Sequence, residues 1–111
     1  MTRAWFAAIV MITLLAPLPA GAQTTGLDRL HTQARVGGKT CMTEHEHYGE
    51  STMRTKRGAE LAAMRAWSSF TAFEYGAPWG SYAAAAGKKM DCSKNSNETW
   101  LCKTTARPCR R

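Results

Sequence analysis

The chain has 111 residues, with 15 lysines and arginines against 8 aspartates and glutamates, and therefore a formal net charge of +7. A chain of this length holds one domain at most. Its core is marginal, because so small a domain buries only about 60 per cent of its unfolded surface. The positive charge favours polyanionic partners such as phosphate-rich surfaces, lipopolysaccharide or nucleic acid, although a solvated basic surface has the same composition.

The first 22 residues have the pattern of a cleavable secretory signal peptide. A positive charge at Arg3 precedes an apolar run from Ala4 to Leu18, and Ala20 and Ala22 then form a small-residue cleavage site. The run is shorter than the roughly 20 residues of a spanning helix, which disfavours a membrane anchor. We therefore expect cleavage after Ala22, no transmembrane span after cleavage, and a soluble, periplasmic or secreted chain of 89 residues that keeps a charge of +6.

The mature chain divides into an arm and a domain. Residues 23–38 are polar and contain three glycines, which favours a flexible arm, and residues 39–111 form the predicted folded domain. The residues from Lys39 to Tyr48 alternate between two sets, one for each face of an extended strand. This pattern predicts a strand on which His45 and His47 share one face.

All four cysteines lie in the predicted domain, and an even number in a short exported chain favours disulfides over free thiols. Cys92 and Cys102 lie symmetrically within a predicted hairpin, so we predict a bond between them and a second bond between Cys41 and Cys109. Four cysteines allow three pairings, and the sequence alone does not choose among them.

A long helix is predicted from Lys56 to Tyr75. Thr55 is a suitable N-cap, and Gly76 followed by Pro78 is typical of a helix end. Small and aromatic residues recur at intervals of three and four along one stripe. The stripe consists of Ala59, Ala62, Ala63, Ala66, Trp67, Phe70 and Phe73.

Pro78 begins a second, shorter predicted helix that ends at Gly87. A hairpin follows, with strands Met90–Ser93 and Thr99–Ala106 around a turn-rich segment. This order predicts an α+β fold in which both helices pack on one three-stranded antiparallel sheet held by two disulfides. A loose, disulfide-pinned helical hairpin is the alternative. The predicted core is aromatic and consists of Trp67, Phe70, Phe73, Trp79, Tyr82 and Trp100.

His45 and His47 are the candidate metal ligands, because the i, i+2 spacing on a strand places both imidazoles on one face. Glu44 and Glu46 would point to the opposite face, and His31 lies in the arm. Two ligands make a weak site compared with the three or four of zinc centres. An exposed, histidine-rich strand edge is the alternative interpretation.

Arg54, Lys56 and Arg57 cluster at the start of the long helix, where free backbone N–H groups favour anions. This basic cluster is the candidate anion-binding site, and a basic loop without a fixed partner is its alternative. No motif places a nucleophile beside a base. Glu60 and Glu74 are about 20 Å apart on one helix, too far for paired catalytic carboxylates. We predict no enzymatic activity and no cofactor.

Two segments carry a resemblance. The run from Ala66 to Trp79 and the ending Ala106-Arg107-Pro108-Cys109 resemble a group of small, uncharacterised exported proteins of Gram-negative bacteria. A tryptophan-rich helix that ends in Tyr-Gly precedes a cysteine hairpin and an Ala-x-Pro-Cys terminus in that group. The resemblance implies a periplasmic or secreted location and no particular activity.

Taken together, these patterns favour a non-enzymatic binding or structural module at the cell envelope with an anionic partner, without sequence-specific nucleic-acid recognition. The alternative is a small metal-binding protein that uses His45 and His47.

Overall fold

The computed structural model describes residues 14–17 and 23–111, so the predicted signal peptide falls largely outside the described residues. Within the described ranges, no helix is both long and apolar enough to cross a bilayer. The described part contains one α-helix and six strands, together with short 3₁₀ turns at Leu27–Leu30 and Ala77–Trp79. The elements are β1 (Gln33–Val36), β2 (Lys39–Met42), β3 (His47–Met53), α1 (Lys56–Tyr75), β4 (Ala86–Lys94), β5 (Trp100–Arg107) and β6 (Cys109–Arg110).

The strands form two antiparallel sheets rather than the one that the sequence predicted. The large sheet has the order β3-β5-β4 and the small sheet the order β1-β2-β6. Pro108 separates β5 from β6, and residues 43–46 separate β2 from β3. Because proline cannot donate a ladder hydrogen bond, the chain changes sheets at Pro108. The predicted α+β class is confirmed, and the predicted single sheet is wrong.

The helix α1 has the bounds that the sequence predicted. The Thr55 side chain accepts a hydrogen bond from the Gly58 backbone N–H, and the Gly76 N–H closes the last turn on the Ala72 carbonyl. Gly76 has a φ of 103°, a conformation that side chains other than hydrogen rarely tolerate.

The buried stripe of α1 differs from the predicted one. It advances by four residues at each step, and its members are Ala59, Ala63, Trp67, Thr71 and Tyr75. Such a stripe turns slowly around the helix as it crosses the twisted sheet. Phe70 is consequently 50% exposed and Phe73 86% exposed, so their assignment to the core is wrong. Trp67 and Trp79 are fully buried, as predicted.

The predicted second helix is absent from residues 78–87. Ala77–Trp79 forms a 3₁₀ turn, and β4 begins at Ala86. The residues between Gly80 and Gly87 are too few for two helical turns, so helix propensity alone is weak there. Burial of Ala84 and Ala85 fixes this segment instead.

The predicted flexible arm carries regular structure. Residues 33–36 form β1, which pairs with β2 in the register Gln33↔Met42 to Val36↔Lys39. Gly37 and Gly38 are the two residues of the connecting turn, and Gly37 has a φ of 62°, as tight hairpin turns require. The arm is therefore part of the small sheet.

Two disulfides join cross-strand neighbours. Cys92 bonds to Cys102 between β4 and β5, and Cys41 bonds to Cys109 between β2 and β6. The predicted connectivity is confirmed. The second bond attaches the last strand of the chain to the small sheet.

Candidate metal-binding site

The candidate site lies where the two sheets meet at the C-terminal end of α1. A short connection joins β3 to α1, so that the start of β3 lies beside the end of the helix. His45 precedes β3, His47 is its first residue, and Glu74 lies in the last turn of α1. The connection between the sheets thus brings two histidines to a helix-borne carboxylate.

His47 is buried, and its Nδ1 is held by Thr71. The two atoms are 2.8 Å apart. The Thr71 hydroxyl donates its single hydrogen to the Trp67 carbonyl at 2.7 Å. It must therefore accept from His47, so that Nδ1 carries the proton and Nε2 presents a lone pair. Such a hydrogen bond to the remote nitrogen is typical of histidines that bind metals.

His47 Nε2 faces the Glu74 carboxylate at 3.2 Å, yet it has no hydrogen-bond partner among the described residues. Burial lowers the pKa of His47 to about 4, although Glu74 acts in the opposite direction. A neutral imidazole lone pair and a carboxylate oxygen repel each other at this distance. A cation between them would remove that repulsion, and buried unsatisfied groups often indicate such a missing ion or water.

The spacing of the candidate ligands suits one metal ion. One ligand atom from each of His45, His47 and Glu74 lies within 4.8 Å of the others. Nitrogen and oxygen ligands each about 2.0–2.1 Å from a tetrahedral zinc are roughly 3.3 Å apart. The separation of 3.2 Å between His47 Nε2 and Glu74 Oε2 is close to that value.

Aromatic rings surround the trio. Tyr75 stacks on His47 with ring centroids 4.9 Å apart, and Phe70 packs against the same imidazole at 4.9 Å. Burial and the neighbouring Glu74 raise the pKa of Tyr75 to about 12, so that its phenol stays neutral. These rings limit the access of water to His47, which strengthens the electrostatic interaction between its nitrogen and a cation.

The geometry corrects three expectations. His45 and His47 do not share a regular strand, because β3 begins only at His47, yet their ring centroids are 4.9 Å apart. Glu74 is a third candidate ligand that the sequence analysis missed. His31 is not remote, since its ring stacks on His45 at 4.2 Å. The trio contains neither Glu44 nor Glu46.

The predicted basic cluster at the start of α1 is partly engaged by the protein itself. Arg57 lies 3.5 Å from Glu60, and the Lys56 ammonium lies 5.8 Å from the Trp100 ring centroid. The Gly58 N–H is already bound by Thr55, so one backbone donor of the first turn is taken. Anion binding by Arg54, Lys56 and Arg57 remains a prediction to which this geometry adds no support.

Elution from heparin measures anion binding by the basic cluster. If the cluster is a site, the triple variant Arg54→Ala/Lys56→Ala/Arg57→Ala should elute from heparin at a lower salt concentration than a control that loses three other exposed cations, Lys89→Ala/Lys103→Ala/Arg111→Ala. Both variants lose the same charge, and salt screens both equally. Equal elution would show that net charge alone controls retention.

Comparison of the chain with family models, curated proteins and solved structures yields no match.

Proposed function

We propose that this chain is a small exported protein that binds one divalent transition metal ion through His45, His47 and Glu74. The observation that carries the proposal is the unpartnered, buried Nε2 of His47, which faces the Glu74 carboxylate while Thr71 holds the opposite ring nitrogen. The signal-like leader and the two disulfides support a location outside the cytoplasm.

The donor set indicates the class of metal. Two imidazoles and one carboxylate suit Zn²⁺, Cu²⁺, Ni²⁺ or Co²⁺, whereas Ca²⁺ and Mg²⁺ prefer oxygen ligands alone. A metal requires the neutral imidazole, and burial favours this form of both His45 and His47. The ligands would therefore need little proton release near neutral pH.

Titration calorimetry tests the proposal directly. The purified, chelator-treated protein should bind one equivalent of Zn²⁺, and at about 100 times the dissociation constant the metal should stabilise the fold by roughly 2.7 kcal/mol. His47→Ala and the near-isosteric Glu74→Gln should each weaken binding at least tenfold. Removal of a ligand or of its oriented partner typically costs that much affinity.

Glu46→Gln is the matched control, because Glu46 is an exposed carboxylate one residue from His47 but outside the trio. Its affinity should equal that of the wild type. Absence of Zn²⁺ and Co²⁺ binding to the wild type would overturn the proposal, as would unchanged binding by both ligand variants. Circular dichroism should show that each variant retains its helix.

A further inference from the structure

All three histidines of the chain converge at the candidate site. His31 stacks on His45 with ring centroids 4.2 Å apart and planes inclined by 25°, and the His45 ring lies 4.9 Å from that of His47. His31 also contacts Tyr75 edge-on at 5.6 Å. Every imidazole of the protein therefore lies in one cluster, and this cluster is larger than the trio of candidate ligands.

The segment that carries His31 is fixed on both sides of it. Thr43 donates to the Thr32 carbonyl from its backbone N–H at 3.0 Å, which extends the pairing of β1 with β2 by one residue. Before His31, the Thr25 N–H donates to the Tyr75 carbonyl at 3.0 Å. This register, continued by one residue, places His31 opposite Glu44 and so next to His45, independently of any bound ion.

A cavity of about 220 Å³ opens against His31 and His45, and its remaining lining comes from Leu30, Thr32 and Glu44. The cavity gives access from solvent to His31 and His45, and a metal site needs such an entry path. The volume greatly exceeds the roughly 30 Å³ that a water molecule occupies in the liquid, so an ion could enter with its hydration shell.

In the stack the two imidazoles cannot both bind one ion, because each nitrogen lone pair lies in its own ring plane and the two planes are nearly parallel. Rotation of His31 out of the stack would turn one of its nitrogens toward an ion held by His45. We infer that His31 is the fourth ligand and that it completes a tetrahedral site of three imidazoles and one carboxylate. The inference rests on the proposed function and deepens it. His31 lies outside the compact trio, and rotation about its side-chain bonds would bring a nitrogen to the ion.

A fourth protein ligand determines the kind of site. Structural zinc sites have four protein ligands, whereas catalytic sites keep one position for water. With His31 bound, the site is closed, and it holds or carries the metal without activating water. Metal binding would also add a link between residues 23–36 and the end of α1 to the hydrogen bond from Thr25 to Tyr75, since His31 lies within that segment.

Co²⁺ is the probe, because tetrahedral Co²⁺ absorbs visible light far more strongly than octahedral Co²⁺. His31→Phe keeps a ring for the stack on His45 but removes both nitrogens. We expect it to lower Co²⁺ and Zn²⁺ affinity by tenfold to 100-fold and to weaken the visible bands. Val36→Ala, an exposed change at the end of the same segment, should behave as the wild type.

Limited trypsin digestion gives an independent readout, because Arg29 and Arg35 flank His31. Zn²⁺ should slow cleavage at both sites in the wild type and not in His31→Phe. Wild-type affinity, visible bands and protection in His31→Phe would overturn this inference while the three-ligand site stands. Failure of the wild type to bind either metal would overturn both proposals.

Discussion

Replacement of Trp67 by alanine is expected to lower the free energy of unfolding by about 4 kcal/mol, since truncation of a buried aromatic side chain typically costs 3–5 kcal/mol. Trp67 is fully buried and packs between Ala85 and Ala106. Its ring meets Tyr82 edge-on at 5.5 Å. A loss of this size is a large part of the total stability of a small domain.

Trp67 also joins two strands through its indole N–H. Nε1 lies 3.1 Å from the His47 carbonyl and 3.1 Å from the Ala106 carbonyl, and these two residues are directly paired between β3 and β5. Trp67→Phe retains most of the ring but leaves both carbonyls without this donor. It should therefore cost about 1–3 kcal/mol, less than the alanine variant.

Urea unfolding, monitored by circular dichroism, measures the free energy of unfolding of the wild type, Trp67→Ala and Trp67→Phe. Phe73→Ala is the control, because Phe73 lies on the same helix but is 86% exposed. It should change the free energy of unfolding by no more than about 0.5 kcal/mol. Equal losses for Trp67→Ala and Phe73→Ala would contradict the assigned orientation of the helix.

Some elements could be predicted because local chemistry specifies them. The bounds of α1 follow from Thr55 at its start and from Gly76 and Pro78 at its end, all of which act on neighbouring backbone groups. The bond between Cys92 and Cys102 follows from their symmetric placement in a hairpin. In each case the determining residues are close in sequence.

The errors have tertiary causes. The amphipathic stripe gave Phe70 and Phe73 the same weight as Trp67, but the twist of the large sheet selects positions four apart and takes in Thr71 and Tyr75. Pro78 suggested the start of a second helix, whereas the burial of Ala84 and Ala85 holds the segment that follows it in turns. Hydrophobic periodicity shows which side of a helix is apolar, but it contains no information about the shape of the sheet on which that side packs.

The sequence predicted His45 and His47 as ligands but not Glu74 or His31, and the reason is again tertiary. A seven-residue strand and a helix joined by a short connection run antiparallel, so that His47 lies level with the later turns of α1. Glu74 could have been found from this geometry. The pair Gly37-Gly38 is a hairpin-turn pattern, and the register it sets would have placed His31 opposite Glu44, next to His45.

At Gly49 the backbone of β3 lies directly against α1, and Gly49→Ala is expected to cost about 3 kcal/mol or more. A Cβ at this position would lie 2.4 Å from the Ala63 carbonyl oxygen and 2.6 Å from the Trp67 backbone nitrogen. Both are backbone atoms of the helix, so no side-chain rotation relieves the clash. Overpacking that must move backbone typically costs 1–3 kcal/mol and occasionally more.

Thermal unfolding measures this effect, and for a domain of this size 3 kcal/mol corresponds to a decrease of about 15 °C in Tm. Gly38→Ala is the matched control, because a Cβ there meets nothing within 4 Å and its φ is not positive. Both variants lose the same backbone freedom in the unfolded chain, so that the difference between them isolates the contact with α1. Gly49→Ala should also bind Zn²⁺ less well than Gly38→Ala, since displacement of α1 moves Glu74 away from His47. An unchanged Tm in Gly49→Ala would show that the helix does not rest on the β3 backbone.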